Sequence, residues 1–293
     1  MSFLITRRAI LASAPMAALI AKAGLAAGFD PEKSTLTAAD GHTIPLSTWR
    51  ARGRRIGIIS FSHGAASAPW KYPDMIGAWV GAGYDVVAPL HVDSTDHPQH
   101  DKYPGLATWK ARIEDMRAVS AHIGGPHIAA GHSYGGLTAL VQGGAQAVVP
   151  EGVTGSLRDA TATCVVAFSP PPPIPGLITA EGYATLETPA LVETGTIDIM
   201  PGGTPDSWHG HLAGYDNAAP GGHRYGLVLD GANHYFGGLI CDATQPGPIQ
   251  AAQLKTAIRL SLAFMAEWGT GSQVKGTLDQ EVGTKDGFTL TTK

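Results

Sequence analysis

The stretch Gly131-His132-Ser133-Tyr134-Gly135 decides the fold, because it has the G-x-S-x-G pattern of a sharp turn between a strand and a helix. The run 127–130 before it has strand character, and residues 137–147 after it have helix character. A side chain at either glycine would crowd the neighbouring backbone. The pattern predicts that the turn lifts the Ser133 hydroxyl out of the sheet and places it at the N-terminus of the new helix.

The length and composition of the 293-residue chain are sufficient for one large α/β domain with a substantial core, or for two small domains. Hydrophobic residues make up 44% of the chain and charged residues 15%, and the net charge of −4 gives no indication of a nucleic-acid partner. The two cysteines, Cys164 and Cys241, lack the spacing of a metal site. Cys164 falls in a predicted core strand, which favours two separate thiols, although an oxidising compartment would permit a disulfide.

Residues 1–27 have the features of an export signal. Arg7 and Arg8 precede an alanine-rich, weakly apolar stretch that ends in small residues. Paired arginines favour the twin-arginine type of signal, so we expect a periplasmic or secreted protein. The alternative is an N-terminal amphipathic or transmembrane helix, but the apolar run is short and rich in alanine for a stable span. We therefore expect no membrane span after signal removal.

Residues 28–270 alternate between strand and helix patterns after an opening hairpin at Asp40-Gly41. Continuous apolar runs such as 162–168 are typical of strands buried on both faces, and 107–123 has the spacing of an amphipathic helix. The alternation predicts one domain with a mostly parallel central sheet and helices on both faces. The polar residues 271–293 are predicted to form a C-terminal tail, either as a loose hairpin or without ordered structure.

Two loops are expected to border the site. The connector 168–189 is too short for a large lid, which predicts a minimal cap and an open site. The segment 91–101 is rich in histidine and aspartate, but its spacing matches no tight ligand set, so we predict a solvated loop or site rim rather than a metal site. In the helix after it, Glu114 and Asp115 are expected on faces other than the apolar one.

A nucleophilic serine needs a base and an orienting acid, and both should follow strands at the carboxyl edge of the sheet. His234 follows the last predicted core strand after a short turn, and Asp198 follows the strand before it. Ser133, Asp198 and His234 are therefore the predicted catalytic residues. Glu193 lies inside a strand and is expected to point away from the site, and Asp216 is the alternative acid.

An oxyanion hole requires two backbone N–H donors. The residue after the serine, Tyr134, supplies one, and the loop after the strand at 56–61 should supply the other. Ala65 is the predicted donor in that loop, with Gly64 and Ala66 as alternatives.

Three aromatic residues are candidates for substrate binding: Trp70, Trp208 and Tyr235. Each of them could equally be an ordinary packing residue. Nothing in the residues fixes the acyl group, the alcohol or a preference for polymers, so the predicted partner is a small-molecule or polymeric ester. No cofactor or metal is expected.

These residues resemble the α/β-hydrolase superfamily. The resemblance spans roughly residues 34–268 and rests on the G-x-S-x-G stretch, on His63-Gly64, on Asp198 and on Gly231-Ala232-Asn233-His234. Within the superfamily the chain is similar to the lid-poor carboxylesterases related to dienelactone hydrolases and chlorophyllases. Dienelactone hydrolases use a cysteine nucleophile, from which Ser133 departs.

The resemblance implies a serine hydrolase that cleaves carboxylic esters by two-step acyl transfer without a cofactor. An amidase, a thioesterase or an acyltransferase could use the same triad, because the triad does not encode the leaving group or the acceptor. A hydrolase-shaped binding protein without turnover is the alternative outside enzymes.

Overall fold

A computed structural model of the chain describes residues 30–103, 108–199, 203–221, 223–270 and 276–293. Within these residues the chain forms ten strands and five α-helices. The strands are β1 (Glu32–Thr37), β2 (Thr43–Trp49), β3 (Gly57–Ser62), β4 (Tyr84–Pro89), β5 (His127–His132), β6 (Ala162–Phe168), β7 (Ala190–Gly195), β8 (Arg224–Leu229), β9 (Gly283–Lys285) and β10 (Phe288–Thr292). The helices are α1 (Pro73–Gly81), α2 (Thr108–Ile123), α3 (Tyr134–Gln142), α4 (Ala213–Asp216) and α5 (Ala251–Phe264).

All ten strands belong to one sheet, in the order β1-β2-β4-β3-β5-β6-β7-β8-β10-β9. The six strands from β4 to β8 in this order pair in parallel, and the pairs at both ends of the sheet are antiparallel. Strands β4, β5 and β7 are buried along their whole length, as expected for strands covered on both faces. The predicted mostly parallel sheet is therefore confirmed.

Helices cover both faces of the sheet. Successive side chains along a strand point to opposite faces, so the contacts of two neighbouring residues show what covers each face. Ala129 belongs to a core cluster with Trp109 of α2 and Leu137 of α3. Ile128, one residue earlier, lies against Gly269 just beyond α5. Helices α1 and α5 also contact each other. The sheet thus brings the carboxyl ends of β3, β5, β7 and β8 to one edge.

The C-terminal residues extend the sheet, which differs from the predicted domain boundary at residue 270. Strand β10 pairs with β8, and β9 and β10 form the hairpin that was one of the two expected outcomes. Phe288 and Leu290 alternate with threonines and are buried. Tyr225 of β8 donates a hydrogen bond from its hydroxyl to Asp279 Oδ1 at 2.7 Å. The segment joins the sheet because its apolar residues alternate with polar ones and can be buried on one face, although its overall composition is polar.

The connector between β6 and β7 packs alongside α3. Its apolar residues Ile174, Leu177, Ile178 and Tyr183 join the same core cluster as Leu137. It contains a single short 3-10 helix, Glu181–Thr185. The connector does not contribute to the lining of the cleft described below, in agreement with a minimal cap.

The predicted export signal, residues 1–27, lies outside the described residues. Among the helices that are described, none combines the length and the apolar character that crossing a membrane requires. Cys164 is buried in β6 and Cys241 follows β8, and both are free thiols.

Candidate active site

Ser133 occupies the apex of a strained turn between β5 and α3. Its backbone has φ 55° and ψ −122°, a conformation that residues other than glycine rarely adopt. The surrounding backbone holds this conformation: the Ser133 N–H donates to the Phe168 carbonyl at 2.8 Å, and the Ser133 carbonyl accepts from the Leu137 N–H at 3.1 Å. Strain maintained in this way is typical of functional sites.

The two glycines of the turn are required by close backbone contacts. A Cβ atom at Gly131 would overlap the carbonyl of Gly135, and one at Gly135 would overlap the carbonyl of Ser62 in β3. Neither neighbour can move away, because both are main-chain atoms of the central sheet and of the turn itself. The spacing of G-x-S-x-G thus reflects how closely β5, α3 and β3 approach one another.

Asp198 and His234 meet beside this turn. His234 Nδ1 lies 2.8 Å from Asp198 Oδ1, and both side chains are buried. The Thr194 hydroxyl donates to Asp198 Oδ2 at 2.8 Å. Burial raises the pKa of Asp198, but the hydrogen bond from His234 and the charges of His234 and His211 outweigh burial and hold this pKa at about 2. Asp198 is therefore a carboxylate at neutral pH.

The loop that carries His234 is shaped by Asn233. The Asn233 side-chain oxygen accepts hydrogen bonds from the backbone N–H groups of Tyr235 and Gly237, and the Asn233 N–H donates to Gln250 Oε1 at 2.9 Å. Such Asx turns fix the loop without needing a strand or helix. The loop that carries the His234 imidazole is therefore held in place by these hydrogen bonds.

The other acids considered from the sequence lie elsewhere. Asp216 sits in α4, where burial raises its pKa, and among the described residues it makes no hydrogen bond or ion pair with His234. Glu193 is buried within β7, and burial together with the charge of Asp198 raises its pKa well above its usual range. Among the described residues the carboxylate that contacts His234 is that of Asp198, not that of Glu193.

His211 is a neighbour of Asp198 that the sequence did not suggest. It is buried, its Nε2 lies 3.3 Å from Asp198 Oδ1, and its Nδ1 lies 2.7 Å from the Pro170 carbonyl. A carbonyl only accepts hydrogen bonds, so Nδ1 of His211 carries a proton. The only signal in the sequence was a histidine between the acid and the base, in a chain with twelve histidines.

Asp198, His211 and His234 also form a possible metal-binding group. Within the described residues, one ligand atom from each side chain lies within 4.8 Å of the others. Histidine nitrogens and a carboxylate oxygen are a donor set that zinc accepts. The hydrogen bond between His234 and Asp198 occupies this cluster, so a bound metal would have to replace it.

A cleft of about 840 Å³ opens above Ser133 and His234. Trp70 and Tyr235, two of the predicted substrate-binding residues, line it together with Ala65. Trp70 is 41% exposed, an unusual degree of exposure for a tryptophan. Trp208 is not among the residues that line the cleft. Its ring stacks on His209, with 3.6 Å between the ring centroids.

The loop after β3 offers three N–H groups near Ser133, and two of them are used within the protein. Gly64 N–H donates to the Tyr72 hydroxyl at 2.9 Å, and Ala66 N–H donates to Asp93 Oδ2 at 3.3 Å. No partner is found among the described residues for the N–H of Ala65, which lines the cleft. Of the three candidate donors, Ala65 is therefore the one left to bind a ligand.

Tyr134 begins α3, so its N–H precedes the first intrahelical hydrogen bond. Its side chain turns away from the cleft: the ring stacks on Trp109 at 5.9 Å and lies 4.4 Å from the guanidinium carbon of Arg112. The backbone of Tyr134 directly follows Ser133, while its ring packs against α2.

A buried arginine supports the loop that contains Ala65. Arg112 of α2 is fully buried and forms a two-pronged ion pair with Asp93 at 2.8 and 3.0 Å. It also donates to the carbonyls of His63 at 2.9 Å and Gly64 at 3.3 Å. Sequence reasoning missed this residue, whose signal is its position on the same helix face as Met116 and Val119.

The histidine-rich segment 91–101 is only in part what the sequence predicted. Thr95 lines the cleft, as expected of a site rim, but His91, Asp93 and His97 are buried rather than solvated. The expectation of a solvated loop was wrong for His91 and Asp93 because Asp115 and Arg112 of α2 pair with them in the interior. Asp115 and Glu114, which were expected on faces of α2 other than the apolar one, are both buried.

Asp115 joins two histidines beneath β3. His91 Nδ1 lies 2.6 Å from Asp115 Oδ2, and His42 Nε2 lies 2.7 Å from Asp115 Oδ1. The Ser62 hydroxyl lies 2.9 Å from His91 Nε2. Burial raises the pKa of Asp115 to about 6, and the hydrogen bond to Asp115 raises that of His42 to about 9.

No protein-family model matches the chain, and no curated protein matches it either. Solved structures do. Esterase 2 of Thermogutta terrifontis shares 14% identity with a TM-score of 0.60, over 81% of this chain and 92% of that one. A serine hydrolase homologue from Coxiella burnetii shares 17% identity with a TM-score of 0.52, over 78% and 96%.

A puromycin-hydrolyzing peptidase of Mycobacterium tuberculosis shares 15% identity with a TM-score of 0.57. The match covers 84% of this chain but 40% of that one, so this chain corresponds to less than half of the peptidase. Identities this low establish the architecture and leave the activity open. With its mostly parallel sheet, its covering helices and its strained serine turn after β5, the chain has the α/β-hydrolase fold.

Proposed function

We propose that this protein is a serine hydrolase that cleaves carboxylic esters through an acyl-enzyme intermediate. The observation that carries the proposal is the strained Ser133 at the base of an open cleft that His234 also lines, with His234 hydrogen-bonded to the buried Asp198. A serine, a histidine base and an orienting acid are the groups that nucleophilic acyl transfer requires. The structural likeness to an esterase supports the same class.

Acylation follows from the proton positions. Because Nδ1 of His234 donates to Asp198, Nε2 is the nitrogen free to accept the Ser133 proton. Ser133 then attacks the ester carbonyl, and the negative charge on the carbonyl oxygen is stabilised by the N–H groups of Ala65 and Tyr134. The ionised Asp198 stabilises the imidazolium that forms. His234 next donates its proton to the departing alcohol.

Deacylation repeats these steps with water. His234 Nε2 removes a proton from a water molecule, whose oxygen attacks the acyl carbonyl on Ser133. The second tetrahedral intermediate uses the same two N–H donors. It collapses when Ser133 leaves and recovers its proton from His234, which releases the carboxylic acid. Each step uses only side chains and backbone groups of this chain.

The cleft favours esters with a bulky part. It is open, and its lining includes the exposed ring of Trp70 and the ring of Tyr235, which packs edge-on against His234 at 5.0 Å. Aromatic surfaces at the ends of a cleft bind flat or apolar groups through burial and stacking. An open cleft with a minimal cap accommodates a small ester and equally a segment of a polyester chain.

A fluorophosphonate probe tests the nucleophile. The folded wild-type protein is expected to react covalently at Ser133, and peptide mass spectrometry would locate the adduct. Ser133→Ala is expected to abolish labelling while its circular dichroism spectrum matches the wild type. Labelling at another serine, or none in the folded wild type, would contradict the proposal.

A substrate panel then separates esters from other acyl compounds. Activated esters of increasing acyl length are compared with an anilide and a thioester that carry the same acyl group. We expect the largest kcat/KM for an ester. The likeness to a puromycin-hydrolyzing peptidase makes amide hydrolysis the second candidate, and a larger kcat/KM for the anilide would favour it.

We also propose that residues 1–27 direct export, which would make the protein periplasmic or secreted. The support is the pair Arg7-Arg8 before an alanine-rich stretch. Expression of the full chain followed by N-terminal sequencing of the exported protein tests this. The expected mature protein lacks Arg7 and Arg8, and Arg7→Lys with Arg8→Lys is expected to keep it in the cytoplasm. An uncleaved cytoplasmic protein would contradict the proposal.

A further inference from the structure

We propose that Tyr72 and His132 act as one positioning pair, which ties the oxyanion loop to the loop of the base. This inference rests on the proposed function. Both side chains are fully buried, and neither lines the substrate cleft. The Tyr72 hydroxyl bonds to Gly64 of the oxyanion loop and to His132 Nδ1, and His132 Nε2 bonds to the main chain of His234.

The donor and the acceptor can be assigned for each of these three hydrogen bonds. The carbonyl of His234 can only accept, so His132 Nε2, 2.9 Å away, carries the proton and donates it. Burial lowers the pKa of His132 to about 4, so the ring is neutral at neutral pH and its Nδ1 is an acceptor. The Tyr72 hydroxyl, at 3.1 Å, must donate to Nδ1. The same hydroxyl oxygen then accepts from the Gly64 N–H at 2.9 Å.

The two ends of this series of hydrogen bonds lie next to the proposed catalytic groups. Gly64 precedes Ala65, the proposed oxyanion donor, and His132 precedes Ser133. The carbonyl at the far end belongs to His234 itself. Tyr72 comes from a different element, because it precedes the first residue of α1. One pair of side chains therefore couples the positions of the nucleophile, the base and the oxyanion donor.

Packing restricts the movement of Tyr72, His132 and Gly64. The ring of His132 lies 4.8 Å from the ring of His234 and 5.6 Å from that of Tyr72. A Cβ atom at Gly64 would lie 3.1 Å from the Tyr72 hydroxyl, from His132 Nδ1 and from Cys241 Sγ alike. Polar atoms thus crowd the α-carbon of Gly64. A donor held in this way needs little reorganisation in the transition state, which is the condition for effective oxyanion stabilisation.

Removal of the Tyr72 hydroxyl tests the pair. Tyr72→Phe keeps the ring and leaves Gly64 N–H and His132 Nδ1 without their partner. We expect kcat and the rate of fluorophosphonate labelling to fall by about tenfold, with KM within about twofold. Tyr225→Phe is the matched control, because it removes a hydroxyl that bonds to Asp279 far from the cleft. It is expected to lower thermal stability and to leave kcat unchanged.

A double-mutant cycle tests whether the two residues act together. In the His132→Asn background, Tyr72→Phe is expected to lower kcat by less than about threefold, because the link is already broken. An undiminished tenfold loss in that background would overturn the pair. Wild-type kcat in Tyr72→Phe would overturn the positioning role while the proposed function stands. A wild-type protein that hydrolyses no acyl substrate would overturn both.

Hydrogen exchange supplies a readout that does not depend on turnover or on the His132 variant. The Gly64 amide is expected to exchange at least about tenfold faster in Tyr72→Phe than in the wild type. The exchange rates of the amides in the neighbouring strand β3 are expected to stay unchanged. A Gly64 amide that exchanges equally fast in both proteins would overturn the proposed hydrogen bond.

Discussion

Two serine–histidine–aspartate groups of the described residues, one at the cleft and one buried beneath β3, have very different surroundings. In the first, Ser133 stands beside the His234–Asp198 pair at the base of the cleft. In the second, the Ser62 hydroxyl, the two nitrogens of His91 and the carboxyl of Asp115 are joined at 2.9 and 2.6 Å. The buried group therefore has both the serine–histidine and the histidine–aspartate contact of a triad.

The buried group has neither access nor an attacking geometry. Ser62 ends the regular strand β3, is fully buried, and its hydroxyl oxygen also accepts a hydrogen bond from Arg112 at 3.3 Å. Burial outweighs the hydrogen bond and charge of His42 and raises the pKa of Asp115 to about 6, whereas at Asp198 the hydrogen bond and charge of His234 outweigh burial and hold the pKa at about 2. The buried group stabilises the protein interior, whereas the Asp198–His234 pair holds a charged carboxylate beside Ser133.

The turn at Ser133, rather than the types of the three side chains, distinguishes the two groups. Ser133 has a positive φ, begins a helix and faces a cleft that Ala65 also lines. Ser62 has none of these features. The backbone conformation, access to the cleft and the N–H group of Ala65 therefore separate the two groups.

The largest expected effect compares the two serines. Ser133→Ala should lower kcat by on the order of 10⁶-fold, because the nucleophile is lost. Ser62→Ala should leave kcat within about threefold and lower the free energy of unfolding by about 1 kcal/mol, the typical value of one hydrogen bond. Ester hydrolysis and urea denaturation measure the two quantities. A large loss of kcat in Ser62→Ala would mean that the buried group takes part in turnover.

The two aspartates give the next largest effect. Asp198→Asn should lower kcat by about 10⁴-fold, because an amide favours the wrong tautomer of His234. Asp115→Asn is the matched change in the buried group, and should alter stability without lowering kcat more than about tenfold. Steady-state kinetics of both variants checks this. Near-normal turnover of Asp198→Asn would contradict the assignment of Asp198 as the orienting acid.

The cleft, which only the first group possesses, gives a smaller effect. Trp70→Ala removes an exposed ring from the cleft and should raise KM by about tenfold for esters with a bulky aromatic group, with kcat unchanged. Acetate esters should show little change in KM, and Trp208→Ala is the control outside the cleft. Equal KM changes for bulky and small esters would argue against a binding role for Trp70.

The smallest expected effect concerns pH and the buried group. His42 has its pKa raised from about 6.5 to about 9, chiefly by its hydrogen bond to Asp115. A raised pKa means that the stabilisation is complete below pH 6.5 and is lost as pH rises through about 9. The difference in free energy of unfolding between wild type and His42→Gln should therefore shrink from pH 6 to pH 9.5. A difference that stays constant would show that His42 does not titrate as the structure implies.

The central sheet and the serine turn follow from local patterns. The glycines at 131 and 135 are imposed by backbone contacts within the turn and with β3, so their spacing appears directly in the sequence. Asp198 and His234 were predicted because each follows a buried strand, and the structure brings them into contact. Whether they act on substrate stays a prediction until the variants are measured.

The missed residues have partners that are distant in sequence. Arg112 was inconspicuous in its helix, because the carboxylate that accepts it belongs to the loop after β4. Tyr72 was unremarked, because its role depends on Gly64, His132 and the loop of His234 meeting in space. Such arrangements arise from tertiary packing, which no window along the chain contains.

The pairing of β10 with β8 also bears on how the protein behaves at high concentration. The last hairpin covers the hydrogen-bonding edge of β8, a strand of six residues that is otherwise buried in the core, and leaves outermost the three exposed residues of β9. Short, polar outer strands discourage edge-to-edge association of sheets. A chain shortened at residue 270 would present β8 itself to other molecules, and its first symptom would be aggregation.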